Sequence, residues 1–255
     1  MKYLFLLFIL VSFTGCGMQS DIESKEITIS AAASLKDALE EIRDEFTKEY
    51  PTIQVSFNFG SSGSLQQQIV QGAPIDLFLS ASKEKFELLK QQDLIMKDKS
   101  VDILQNSLVL IEKKNANNHV LSFQDIKNNN IQSIAIGLPE TVPAGQYAKE
   151  TFQSIGIWKQ IEPKLIYGKD VRQVLSYLET ENVELGIVYL TDALTSPKVT
   201  VLSTADEKWH SPINYSIGVI NNTSHLEETE IFYHFLQRKQ VIVIFEKYGF
   251  KGLEK

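Results

Sequence analysis

The sequence predicts two α/β lobes, each built on a mainly parallel sheet, joined by two long extended segments. Three observations carry this reading. A βαβαβ alternation runs over residues 26–79, a second runs over 133–189, and two β-rich runs, 107–111 and 213–220, lie between and after them. Parallel neighbours need a crossover, and helices on both faces of a sheet supply it compactly.

Taken in chain order, residues 26–30 (EITIS) alternate β-branched and polar side chains and read as a strand. Residues 35–48 place Leu35, Leu39, Ile42 and Phe46 at helical spacing. A strand over 53–59, a helix over 65–70 and a strand over 75–79 complete the first block. The second block has strands at 133–136, 164–167 and 185–189, with helices at 146–155 and 171–180 between them. Helices over 226–237 and 241–248 close the chain and are expected to return to the first lobe. The division is then 26–106 with 220–255 for the first lobe and 107–219 for the second. The polar stretch 112–118 and the Asn triplet 128–130 read as loops.

Composition narrows the function. Twenty-five basic against 32 acidic residues leave a net charge of −7, which argues against nucleic acid as a partner. One cysteine excludes an internal disulfide, and a lone Cys with four scattered His argues against a structural zinc site.

The N-terminus reads as an address. Met1-Lys2 precedes a run, Tyr3 to Phe13, that is apolar except for Ser12. As a helix those eleven residues reach about 16 Å, too short to span a bilayer but right for a secretory signal. Phe13-Thr14-Gly15-Cys16 resembles a bacterial lipobox, with Phe13 in place of the usual Leu. The resemblance implies cleavage after residue 15, a lipid on Cys16, and a tether over 16–25 that holds the body outside the cytoplasm at a membrane surface. The plainer alternative is an ordinary cleaved signal with an incidental Cys.

The β-to-α junctions are the most informative feature. Ser30-Ala31-Ala32-Ala33-Ser34 leads into the first helix, where Ser34 reads as an N-cap. Gly60-Ser61-Ser62-Gly63-Ser64 offers N–H groups and hydroxyls, yet lacks the Lys of a nucleotide P-loop. Pro143-Ala144-Gly145 opens a helix, and Asp170 stands before Val171 as a candidate cap. Tyr189 ends a strand on the same carboxyl edge, where ligands of open α/β sheets collect. Helix N-termini carry unpaired N–H groups and about half a positive charge each, so several together can hold a dianion without Lys or Arg.

The segments AAASL (31–35), FGSSGSL (59–65), GAPIDLFLSA (72–81), VPAGQYAKE (142–150), DVR (170–172), LGIVYLTDA (185–193) and KYGF (247–250) together closely resemble the ModA family. These are periplasmic or lipid-anchored molybdate-binding proteins of ABC transporters. The resemblance covers nearly all of residues 26–250, with the motifs in family order. It implies a type II periplasmic binding-protein fold with mixed, mainly parallel sheets and a two-strand hinge. It also implies a monomer that captures molybdate, and tungstate with it, and docks on a permease with its ATPase. Motif to motif, the ligand contacts fall on Ser34 and Ser62, on the amides of Ala144 and Val171, and on Tyr189. Molybdenum enters only as the oxyanion, and no cofactor is expected. Gly63 stands where many relatives carry a small hydroxyl residue, which leaves Ser61 or Ser64 as the substitute contact.

Other readings compete with this one. A serine hydrolase would need a nucleophile beside a base, but no G-x-S-x-G occurs and none of His119, His210, His225 and His234 adjoins a junction serine. The same fold with sulfate, phosphate or an organic solute is the alternative cargo. Arg172 is the residue an organic acid would recruit; one step from Val171, it is expected to turn away into a surface or inter-lobe ion pair. Asp76 is expected to brace the loops of its own lobe, and Phe46, Phe78, Phe86 and Phe152 to fill the core.

Overall fold

A computed structural model of the chain describes residues 24–116, 120–128 and 130–253. The expected signal segment, Cys16, most of the tether and His119 lie outside the described residues.

The first block runs β1 (Lys25–Ala32), α1 (Lys36–Glu49), β2 (Ile53–Gly60), α2 (Ser62–Val70), β3 (Leu77–Ser80), α3 (Lys83–Gln91) and β4 (Ile95–Gln105). The second runs β5 (Leu108–Lys113), β6 (Ile134–Gly137), α4 (Pro143–Ser154), α5 (Trp158–Ile161), β7 (Leu165–Gly168), α6 (Val171–Glu179), β8 (Leu185–Tyr189), α7 (Leu190–Leu194) and β9 (Val199–Thr204). Then come β10 (Asn214–Ile220), α8 (Leu226–Leu236), α9 (Lys239–Lys247) and β11 (Lys251–Gly252).

The strands form two sheets, ordered β11-β4-β10-β3-β1-β2 and β7-β6-β8-β5-β9. Each βαβαβ core is parallel, β2-β1-β3 in one sheet and β7-β6-β8 in the other. The connecting strands add antiparallel neighbours: β10 against β3 and β4, and β5 against β8 and β9. Both sheets are therefore mixed, and the expectation of mainly parallel sheets is corrected. Four pairings are parallel and five antiparallel among the described residues, because the connecting strands and β11 all join antiparallel.

The chain passes between sheets twice, after β4 at residues 106–107 and between β9 and β10. The expected border at 219/220 is corrected by this. β10 pairs with β3 and β4, so residues 214–219 belong to the first lobe. An apolar β-rich run reads the same in either sheet, and only its hydrogen-bonded neighbours decide. Six elements escaped the sequence reading: the short α5, α7 and β11, the strand β9, and α3 and β4. The last of these carries Lys97, Asp98 and Lys99 and lies next to the two-residue edge strand β11, where charge in a strand is tolerated.

The apolar stripe of α1 is buried as its spacing requires, with Leu39, Ile42 and Phe46 inaccessible to water. Phe46 packs edge-on against Phe232 and Phe235 of α8, with ring centroids 4.8 and 5.1 Å away, which seats the C-terminal helices on the first lobe. Arg238 reaches back to Glu49, and Lys247 to Glu41. Phe78, Phe86 and Phe152 are likewise buried. Among the described residues no helix is long and apolar enough to cross a membrane.

Candidate functional site

The carboxyl ends of β1, β2 and β3 face the starts of α4 and α6 and the end of β8 across a small cavity. Its lining includes Ser34, Ser62, Val171 and Tyr189, four of the five residues expected at the site. Ala144 is not in the lining itself; it follows Pro143, which is, as the second residue of α4. Its N–H precedes the first intrahelical bond and has no partner within the helix.

Local sequence explains the shape of each wall. The alanines that end β1 let the chain tighten into a 3-10 turn, Ala33–Leu35, directly above the sheet. Ser34 lies inside that turn and does not cap α1: its Oγ lies 2.8 Å from the phenol oxygen of Tyr215. Ser61 is the N-cap of α2, accepting from Ser64 N–H at 3.3 Å. Its hydroxyl donates to Ser64 Oγ at 2.8 Å, so these two residues largely satisfy each other. Ser62 accepts the Ala81 N–H at 2.9 Å, which engages one of its lone pairs and leaves its own proton for the cavity.

On the second lobe, Pro143 sets the entry of α4. A Cβ on Gly145 would come within 1.9 Å of the Gly137 carbonyl oxygen, so only glycine lets this helix start press onto the end of β6. Asp170 caps α6 as expected, accepting from Gln173 N–H at 2.8 Å. That bond engages the only carboxylate in the lining and leaves the Val171 N–H uncapped. Tyr189 is fully buried, and among the described residues its hydroxyl has no hydrogen-bond partner. Burial pushes its pKa well above the ordinary value, and the same cause raises Tyr147 and Tyr215, so all three phenols remain neutral donors.

Among the described residues no lysine or arginine lines the cavity. Arg172 turns away, as its position beside Val171 requires. It pairs with Asp37 of the first lobe and approaches Asp192 of the second at 3.1 Å, forming the inter-lobe link that was one of its two expected roles. Asp76 accepts the Thr28 N–H at 2.7 Å and a hydrogen bond from Thr223, bracing three segments of its own lobe. His225 lies 3.3 Å from the same carboxylate, away from the cavity lining.

The arrangement is a nest of neutral donors for an acceptor-only guest. A groove of about 1140 Å³ beside β4, α9 and β11 is larger, but its lining brings Asp102 and Glu246 together with no comparable set of helix starts. Among the described residues no cluster of His, Cys, Asp and Glu could hold a metal cation. Tyr215, Asn106 and Asp192 stand next to the site; Asp192 lies in the LGIVYLTDA segment without having been singled out, and the other two carry no motif of their own. Tyr215 lies in a strand run of the wrong expected lobe, and nothing in the order of residues pairs it with Ser34.

The model of the bacterial extracellular solute-binding protein family matches residues 27–251. YvgL of Bacillus subtilis, named as a candidate substrate-binding lipoprotein of an ABC transporter, is 46% identical over 95% of this chain and 94% of its own. The molybdate-binding protein ModA of Escherichia coli is 37% identical over 94% of each chain. A solved substrate-binding domain of a candidate molybdenum ABC transporter from Clostridium difficile is 38% identical, covers 91% of this chain and 100% of its own, and superposes with a TM-score of 0.71. With two mixed sheets, two crossings and these relatives, the fold is that of a type II periplasmic binding protein. The chain belongs to the bacterial extracellular solute-binding proteins and, among them, to the ModA family.

Proposed function

We propose that this protein captures molybdate outside the cytoplasm, between its two lobes, and hands it to the permease of an ABC transporter that a partner ATPase drives. The observation that carries the reading is the Tyr189 phenol, buried and unpartnered at a cavity lined without Lys or Arg. An orphaned buried hydroxyl is costly unless a ligand completes it. In this reading Ser34, Ser62 and Tyr189 donate hydroxyl protons, and Ala144 and Val171 donate amide protons, to a tetrahedral dianion. Relatives named for molybdate binding support the cargo.

Tungstate has the same charge and nearly the same shape, so the site takes both. The protein performs no chemistry and uses no cofactor; it works as a monomer. A lipid on Cys16 keeps it at the membrane, a role that the lipoprotein name of the Bacillus relative supports.

A thermal-shift panel tests this. A ligand that binds only the folded protein adds about 2.7 kcal/mol of stability at a hundred times its Kd. Molybdate and tungstate should raise the melting temperature, with sulfate, phosphate and citrate well behind. A response to phosphate or citrate alone would overturn the cargo.

A further inference from the structure

We propose that Tyr215 and Asn106 are positioning residues that force the Ser34 hydroxyl to donate into the cavity, and so tune the site toward oxyanions that carry no proton. The inference rests on the function proposed above.

The direction of every hydrogen bond in the relay follows from its first member. Asn106 sits at the crossing between β4 and β5, and the Ser107 N–H donates to its Oδ1 at 2.8 Å. That bond settles which end of the amide is which. The Nδ2 group then donates to Thr191 Oγ1 at 2.9 Å and to the Tyr215 phenol oxygen at 3.1 Å. Tyr215 is buried, its ring held by Tyr189 and Phe250 at centroid distances of 6.0 and 5.2 Å.

Its hydroxyl has two neighbours, Asn106 and Ser34. Asn106 has only protons to offer, so the phenol proton must go to Ser34 Oγ, 2.8 Å away. The reverse polarity would leave a buried O–H with no acceptor, which is the costlier arrangement. Ser34 is thereby engaged as an acceptor, and its own proton is left for the cavity that it lines.

The consequence is chemical. Molybdate and sulfate present four acceptor oxygens and meet a donor at Ser34. Hydrogen phosphate also carries an O–H, and where that group faces Ser34 the two protons would point at each other, so phosphate has to turn it elsewhere. The discrimination arises from a tyrosine and an asparagine that need not touch the ligand. Replacing Tyr215 by Phe keeps the ring and its packing but removes the proton that fixes the Ser34 hydroxyl, which can then rotate to present a lone pair to the ligand.

The test is isothermal titration of wild type, Tyr215→Phe, Ser34→Ala and the double variant with molybdate, sulfate and phosphate. Tyr215→Phe should weaken molybdate and sulfate alike and lower their affinity relative to phosphate by about tenfold, the scale of one hydrogen bond gained or lost. In the Ser34→Ala background the same change should leave that ratio unmoved, because Tyr215 acts through Ser34. A purely structural role for Tyr215 would weaken all three ligands together. Wild type that binds molybdate, with an unchanged ratio in Tyr215→Phe, overturns the relay alone. Wild type that prefers sulfate overturns the cargo, while the sulfate-to-phosphate ratio still reads the relay. Wild type that binds none of the three overturns both.

Discussion

The Gly63 N–H donates to the Thr141 carbonyl oxygen at 2.9 Å, joining the first residues of α2 to the loop before α4 across the mouth of the cavity. A Cβ on Gly63 would lie 2.6 Å from that oxygen and 2.8 Å from the Thr141 Cα, both of them backbone atoms. Tyr147 makes a longer reach over the same gap, its hydroxyl 3.4 Å from the Ala81 carbonyl oxygen. The hydroxyl residue expected from many relatives at position 63 has no room in this arrangement. Of the two substitutes, Ser61 lines the cavity while its hydroxyl caps α2, and Ser64 is outside the lining.

Gly63→Ala should therefore separate ligand affinity from stability. Alanine favours the helix by about 1 kcal/mol over glycine, so the unliganded protein should melt no lower. Closure over the ligand would have to push two backbones apart, and molybdate affinity should fall by about tenfold or more. Calorimetry beside a melting curve of the unliganded protein reads both; equal affinity would show that the lobes need not meet at this point.

Tyr189→Phe and Ser62→Ala should fail in different ways. The Tyr189 hydroxyl has no protein partner, so its loss should weaken binding and leave unliganded stability unchanged or slightly raised. Ser62 is the acceptor for the buried Ala81 N–H, so its loss should lower both affinity and, by about 1–3 kcal/mol, stability. Urea unfolding of the two ligand-free variants is the comparison to make. A stability loss in Tyr189→Phe as large as in Ser62→Ala would mean that the phenol has a structural partner after all.

Gly145→Ala should damage the second lobe outright. The added methyl would sit 1.9 Å from the Gly137 carbonyl oxygen, which no side-chain adjustment relieves. The gain in helix propensity, about 1 kcal/mol, is small beside a backbone collision. Circular dichroism should record a melting point many degrees lower. A normal melting curve would refute the close packing of α4 on β6.

Asp192 gives the protein a pH dependence of known sign. Burial pushes its carboxyl up to about 7; Arg172 pulls it down, and Asp37 and Asp170 push it further up. An unfolded Asp titrates at about 3.9. Between those values the folded chain holds a proton that the unfolded chain has lost. The contribution is complete below pH about 4, declines as pH rises to about 7, and spans at most about 4 kcal/mol. The variant Asp192→Asn has no carboxyl to ionise at this position, so the stability difference between wild type and variant should move against wild type across that window. Urea unfolding of both proteins at several pH values reads the difference, and a flat one would refute the raised carboxyl.

Much of this protein was legible in one dimension. Helical spacing at Leu39, Ile42 and Phe46, β-branched runs, and the cap at Asp170 all report on neighbours within a few residues, and each stands in the structure as local chemistry requires. The charged strand β4 broke the pattern because it lies beside the shortest edge of its sheet, where side chains keep their water. The sheet to which β10 belongs was not legible either, since pairing partners are a property of the assembled fold.

By itself, then, the order of amino acids determined two α/β halves and a set of donor-rich helix starts, because backbone preference and amphipathic period act over one or two turns. Only tertiary structure decided that Tyr215 meets Ser34 from 181 positions away, and that Gly63 lies against Thr141. The first contact depends on which strands share one sheet and the second on how two sheets face each other, and no short-range preference specifies either.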